Sequence, residues 1–226
     1  MTRTLRLVDA QSVDGLQAFL ASAARVEDGT VRLIVDSGVL AAYVAVLHPT
    51  GLLDETPTVL GLRTFVIEGR ESFDVVVPQR SLAQRLAHAR PATSDALPVA
   101  VGLPMEVNSM TWTGINPPRE GWCSTGTVAG DAIERAARTG VDEVAATLPD
   151  SADGALLRRL RADVWGRQVP ELGDAVAGVA FAALVLGLLD RDPSGGAVLY
   201  ESGPWTRLTT AQGHVLFKRP AWTLQR

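Results

Sequence analysis

The sequence predicts an α+β fold, and three observations predict it. The first ninety residues hold short runs rich in Val, Ile and Thr, separated by turn residues. Three later stretches, Asp131–Thr147, Gly154–Trp165 and Asp174–Leu189, carry their apolar residues at helical spacing. Three short strand-like runs then close the chain. The expected architecture is therefore a strand-rich N-terminal half with one or two helices, residues 1–104. An expected helical C-terminal half, residues 105–226, ends in a three-stranded β meander, and the two halves pack as one unit.

Thr4 to Val8 alternates as a first strand does. Asp9 or Ser12 then caps a helix in which Val13, Leu16, Phe19, Leu20 and Ala23 share a face. Asp28-Gly29 turns the chain into a strand at Thr30–Val35, and Asp36-Ser37-Gly38 is a hairpin signal answered by Val39–Leu47. His48 to Thr56 is a loop of turn formers. Thr58–Ile67 and Phe73–Val77 are two further strands, and Leu82, Leu86 and Ala89 after Pro78 place a short helix. Arg90 to Ala96 reads as a connector, and Leu97–Leu103 as one more strand.

The second half changes character. Met105 to Gly130 is poor in apolar runs and rich in Gly, Pro, Thr and Asn. After the three helices, Asp190 to Gly196 stops the last one. Val198–Glu201, Trp205–Thr210 and His214–Arg219 form the meander, with Gly203-Pro204 and Gln212-Gly213 at its turns. The Asp174–Leu189 helix is apolar all round, so it must be covered on every side, by the other two helices and the meander. Gly178 with Ala182, and Ala183 with Gly187, lie four residues apart and make flat surfaces for close approach. No internal repeat or low-complexity tract is found.

Composition narrows the function classes. The chain has 226 residues, 46% hydrophobic and 20% charged, so it is neither disordered nor fibrous. A chain of this length buries enough surface to need no metal or disulfide staple. Its single cysteine fits a reducing compartment, and no leader-like apolar run opens it. A cytoplasmic location is expected. Ala175 to Leu189 is uncharged but shorter than the ~18–20 residues a bilayer span needs, so no membrane association is expected. Lys218 is the only lysine among 21 basic residues, the usage of a GC-rich genome. A net charge of −4 argues against coating nucleic acid or anionic lipid.

Three segments carry a resemblance together. They are Leu60-Gly61-Leu62-Arg63-Thr64-Phe65, the run from Gly114 to Trp122, and Gly203-Pro204-Trp205-Thr206-Arg207-Leu208 with Gly213-His214-Val215-Leu216. The chain resembles along its length an uncharacterised family of high-GC Gram-positive bacteria with no known activity, which implies a bacterial cytoplasmic protein and no catalytic residue. Residues 1–90 also resemble, at the level of fold, one repeat unit of a DNA sliding clamp. Here the element order and Val77-Pro78-Gln79-Arg80-Ser81-Leu82 leading into a helix carry the likeness. No second copy of that order is legible downstream.

Familiar catalytic signatures are missing. Cys123 has no helix N-terminus beside it and shares no spacing with His48, His88 or His214, so it reads as a partly buried structural cysteine. Those four residues lie too far apart in sequence for the paired ligands of a zinc site, so no metal is expected. No Gly-x-x-x-x-Gly-Lys phosphate loop, dinucleotide fingerprint or Gly-x-Ser-x-Gly elbow appears, and no cofactor is expected. Asp54-Glu55 and Asp142-Glu143 read as turns and solvated faces.

The best candidate site is the stretch from Val107 to Thr127, since long structureless loops inside compact domains often carry function. Within it Trp112, Asn116, Arg119 and Trp122 are the candidate binding residues. They offer ring surfaces and directed donors on a backbone stiffened by Pro117-Pro118. Three readings follow. The first is a non-enzymatic binding or assembly protein, acting on a protein partner or as a homo-oligomer. The second is an enzyme of unfamiliar type using the 107–127 loop. The third is a nucleic-acid-associated factor whose basic C-terminal face holds Arg207, Lys218, Arg219 and Arg226 between Trp205, Phe217 and Trp222. The first is preferred.

Overall fold

A computed structural model describes residues 3–49, 51, 54, 56–89, 98–107, 111–114, 116–147, 154–190 and 195–219. The chain divides into two compact units, one of residues 1–44 and 62–114, the other of residues 45–61 and 115–226. The connector expected at Arg90–Ala96 lies outside the described residues.

The first unit contains β1 (Thr4–Leu7), α1 (Ala10–Val26), β2 (Thr30–Asp36), most of β3 (Val39–Leu47) and the later part of β4 (Thr58–Val66). It continues with β5 (Phe73–Pro78), α2 (Gln79–Ala89) and β6 (Val99–Gly102). Asp9 caps α1: its carboxylate accepts the Ser12 backbone N–H at 2.6 Å, which lowers the Asp9 pKa. Val13, Leu16, Phe19, Leu20 and Ala23 are the buried stripe of that helix, as their spacing requires. The β2–β3 hairpin closes through Ser37 and Gly38, both at positive φ (52° and 81°), the left-handed pair that a two-residue turn demands.

Sheet order in this unit is β5-β2-β3-β4. Val31, Leu33 and Val35 of β2 stand opposite Val44, Ala42 and Leu40 of β3, while Val77 and Val75 of β5 flank Val31 and Leu33. All eight are buried, so one residue of register slip would turn the whole set to solvent. A separate antiparallel pair joins β1 to β6, with Leu5 opposite Val101 and Leu7 opposite Val99, again all buried. The helices α1 and α2 pack on each other, and α2 also packs on β5 and β6.

The second unit holds the end of β3, the start of β4, β7 (Cys123–Ala129), α3 (Gly130–Thr147), α4 (Gly154–Trp165) and α5 (Ala177–Val185). The meander β8 (Gly196–Ser202), β9 (Trp205–Thr210) and β10 (Gly213–Lys218) completes it. Its strands run β3-β4-β10-β9-β8-β7. The helix α5 packs on α3, α4 and β10. Trp165, 2% exposed, stacks on Phe181 with ring centroids 4.2 Å apart. A Cβ on Gly140 of α3 would overlap the Trp165 ring. Gly178 admits Leu47 in the same way: a Cβ there would lie 2.6 Å from its Cδ1.

Three expectations need correcting. The apolar helix is nine residues long, not the sixteen of 174–189. Val176 is extended and bridges Gln168, which delays the start, and Gly187 at φ 65° ends the helix. There Leu188 N–H donates to Ala183 C=O and Gly187 N–H to Leu184 C=O, the two bonds of a Schellman cap. So Gly187 serves backbone conformation, and nothing lies within 4 Å of where its Cβ would be. Coverage is also incomplete: Phe181, Leu184 and Val185 are half-buried.

Second, the 107–127 stretch is not structureless. A short 3-10 turn occupies Thr111–Gly114, and β7 begins at Cys123. Third, Cys123 is exposed rather than partly buried. With β7 in place, the second half reads as one strand, three α-helices and three strands, β7-α3-α4-α5-β8-β9-β10. β7 was not legible because only Val128 of it is buried, leaving no alternation to read.

Candidate functional site

The four predicted residues have different surroundings. Trp112 belongs to the first unit and is 3% exposed, so its ring is packing and offers no face to a ligand. Beside it the Thr113 carbonyl accepts a 2.8 Å bond from Arg32, whose guanidinium also makes a two-point pair with Asp74. Asn116, Arg119 and Trp122 belong to the second unit. Asn116 and Arg119 are exposed and Trp122 is half-buried.

Trp122 is held by its own loop: Nε1–H donates to the Pro118 carbonyl at 3.0 Å. The adjacent prolines restrict this turn, so the ring is presented in one orientation. Over it lies the guanidinium of Arg207, with its carbon 4.4 Å from the ring centroid. The same carbon lies 4.6 Å from the centroid of Tyr200. Strand register explains the second contact, since Tyr200 and Arg207 are directly opposed on β8 and β9.

Period-two alternation sorts the meander into two faces. Leu199, Leu208, Val215 and Phe217 share one face and are buried, and Thr210 on that face donates to the Leu188 carbonyl just after α5. Tyr200, Arg207, Thr209, His214 and Lys218 share the other with the buried Trp205 and Leu216, as the pairings Thr209–His214, Arg207–Leu216 and Trp205–Lys218 require. His214 Nδ1 and Thr209 Oγ1 are hydrogen-bonded at 3.0 Å. Burial, with the charge of Arg207 second, pushes the His214 pKa down from 6.5, which favours the neutral ring.

Arg207, read from the sequence as part of a basic C-terminal face, is held between the Trp122 and Tyr200 rings. Burial lowers its pKa, and its buried Nε has no hydrogen-bond partner among the described residues. No carboxylate pairs with it among those residues either. Arg219 differs: it reaches Asp174 at 3.4 Å, Glu201 at 3.5 Å and the Gly203 carbonyl at 2.6 Å. Of the aromatics assigned to a basic face, Trp205 and Phe217 are buried, and Trp222 and Arg226 lie outside the described residues. The available signal for Arg207 was its place opposite Tyr200 in the meander, but the sequence does not show that Trp122 folds over both.

Elsewhere, a shallow groove of about 590 Å³ in the first unit runs between α2 and β6, lined by Ser81, Gln84, His88 and Ala100 among others. Arg85 crosses it to the Gly102 and Leu103 carbonyls. No group of three or more His, Cys, Asp or Glu is placed to hold a metal among the described residues. Nor is any helix among them long and apolar enough to cross a membrane.

The fold resembles that of DNA polymerase sliding clamps. The structure of a DNA polymerase sliding clamp from Caulobacter crescentus aligns over 99% of this chain and 67% of its own, at TM-score 0.50 and 11% identity. Caulobacter crescentus pol III beta aligns over 96% of this chain and 65% of its own, at TM-score 0.51 and 10% identity. The clamp of Pseudomonas aeruginosa gives TM-score 0.48 at 12% identity, and the chain spans 66% of its length. The fold-level resemblance expected for residues 1–90 is thus borne out, and the two Caulobacter alignments extend over 96% and 99% of the chain. By sequence, residues 1–108 match the family described as Domain of unknown function (DUF8010), and residues 117–222 match Domain of unknown function (DUF8185). No curated protein matches the chain.

Proposed function

We propose that this chain is a non-enzymatic binding or assembly protein of the bacterial cytoplasm, and that it works through contact with a protein partner. The contact surface is the 116–122 segment, with Asn116 and Arg119 as polar anchors and Trp122 as the ring surface, continued by Arg207 and Tyr200. The observation that carries this reading is the guanidinium of Arg207, held over two rings and paired with no carboxylate among the described residues. A positioned cation of that kind, flanked by half-buried aromatic rings, has the composition of an interface anchor. Trp112, being buried, supports the fold and not the contact.

A photo-crosslinking residue at position 119, introduced in the native host, tests the reading. It should capture one protein reproducibly, or a second copy of the chain, and Trp122→Ala should reduce that capture. Asn116→Ala and Arg119→Ala should leave the chain folded while weakening the captured contact by ~1–3 kcal/mol. Normal binding by both variants would show that the segment is packing.

A further inference from the structure

We propose that the meander face carrying Arg207 and Lys218 receives an extended acidic segment of a partner protein, with two carboxylates from alternate residues docking on the two cations. This rests on the binding reading above and names its chemistry. The first observation is orientation. The Arg207 guanidinium carbon lies 4.4 Å and 4.6 Å from the Trp122 and Tyr200 centroids, so its donor fork is fixed before any ligand arrives. Arg32, Arg167 and Arg219 all point their forks at carboxylates, whereas Arg207 has none among the described residues. Its natural complement is the planar two-oxygen acceptor of a carboxylate.

The second observation is spacing. Leu216 stands opposite Arg207, and Lys218 lies two residues further along β10 on the same face. The backbone positions of such diagonal neighbours are about 7–8 Å apart. Alternate side chains of an extended peptide repeat on one side every ~6.5–7 Å. Two acidic residues separated by one other therefore match the two cations, whereas adjacent acids point to opposite sides. A protein segment is favoured over a polyphosphate because, among the described residues of the three meander strands, this face carries two permanent cations, Arg207 and Lys218. Arg219 lies on the opposite face, tied to Asp174 and Glu201, and the chain is net negative.

The test is calorimetric titration of the full chain with capped Gly-Glu-Ala-Glu-Gly, its Gln-for-Glu counterpart, and a Gly-Glu-Glu-Ala-Gly control. The alternating-Glu peptide should bind at least about tenfold more tightly than the Gln peptide, and its affinity should fall with added salt. It should also bind more tightly than the adjacent-Glu peptide. Arg207→Met should abolish the preference, and Lys218→Met, at a half-exposed position, should reduce it with Tm unchanged. Equal binding of the Gln peptide, or indifference to Lys218→Met, would overturn the proposal. So would inorganic phosphate or an oligothymidylate displacing the peptide. A chain that crosslinks a partner from position 119 yet ignores the acidic peptide would overturn this chemistry while leaving the binding reading intact. A chain that binds the peptide but captures nothing from position 119 would do the reverse.

Discussion

His214 shows how one side chain couples the candidate site to pH. Its ring is hydrogen-bonded to Thr209 and lies near Arg207, and burial first, then that positive charge, depresses its pKa in the folded state. Above the unfolded value of 6.5 the ring is neutral in both states and its contribution to stability is complete. As pH falls below 6.5, the unfolded chain takes up the proton first, so stability is lost as pH falls. The urea midpoint should therefore drop between pH 7.5 and pH 5.5, and His214→Gln should make that drop smaller. An unchanged pH dependence in the variant would show that the ring is solvated in the folded protein. At this scale the sequence was partly legible. Asp9 as a cap and Ser37-Gly38 as a turn follow from local chemistry. The stacking of Arg207 on Trp122 joins residues 85 apart in sequence and has no local signature.

Among the elements, the contact of α3 with α4 is decided by a missing side chain. Gly140→Ala would gain roughly 0.5–1 kcal/mol in helix propensity. Against that, the new methyl would overlap the Trp165 ring, which is 2% exposed and stacked on Phe181, so it has little room to yield. Overpacking of that kind costs ~1–3 kcal/mol, and the cost should win. We expect a lower urea midpoint at unchanged slope; a midpoint at or above that of the parent would mean that Trp165 moves freely. Elements with a clear hydrophobic period were legible in order and place, from α1 through β10. Those without one were not. In β7 Val128 alone is buried, and α5 is bounded by an extended Val176 and a left-handed Gly187 inside an apolar run that has no polar break to mark either end.

At the scale of the whole molecule, the sequence-family boundary and the spatial boundary do not coincide. The family matches divide the chain between residues 108 and 117, but the second unit also takes residues 45–61, the end of β3 and the start of β4. Those residues are structural parts of it. Val46, Leu47, Val59 and Leu60 are all buried, Leu47 and Val59 close against Gly178 of α5, and β4 is the hydrogen-bonded neighbour of β10. A fragment of residues 105–226 loses all four side chains, each worth about 1.5–3 kcal/mol when buried, and leaves β10 with an open edge. A total of that order matches the whole stability of an ordinary domain. We therefore expect the 105–226 fragment, made alone, to lack a cooperative thermal transition and dispersed amide resonances. Co-expressed with residues 1–104, it should co-purify and regain both. If the isolated fragment instead melts cooperatively with a dispersed spectrum, residues 45–61 are dispensable to the second unit, and the boundary read from sequence is also the physical one.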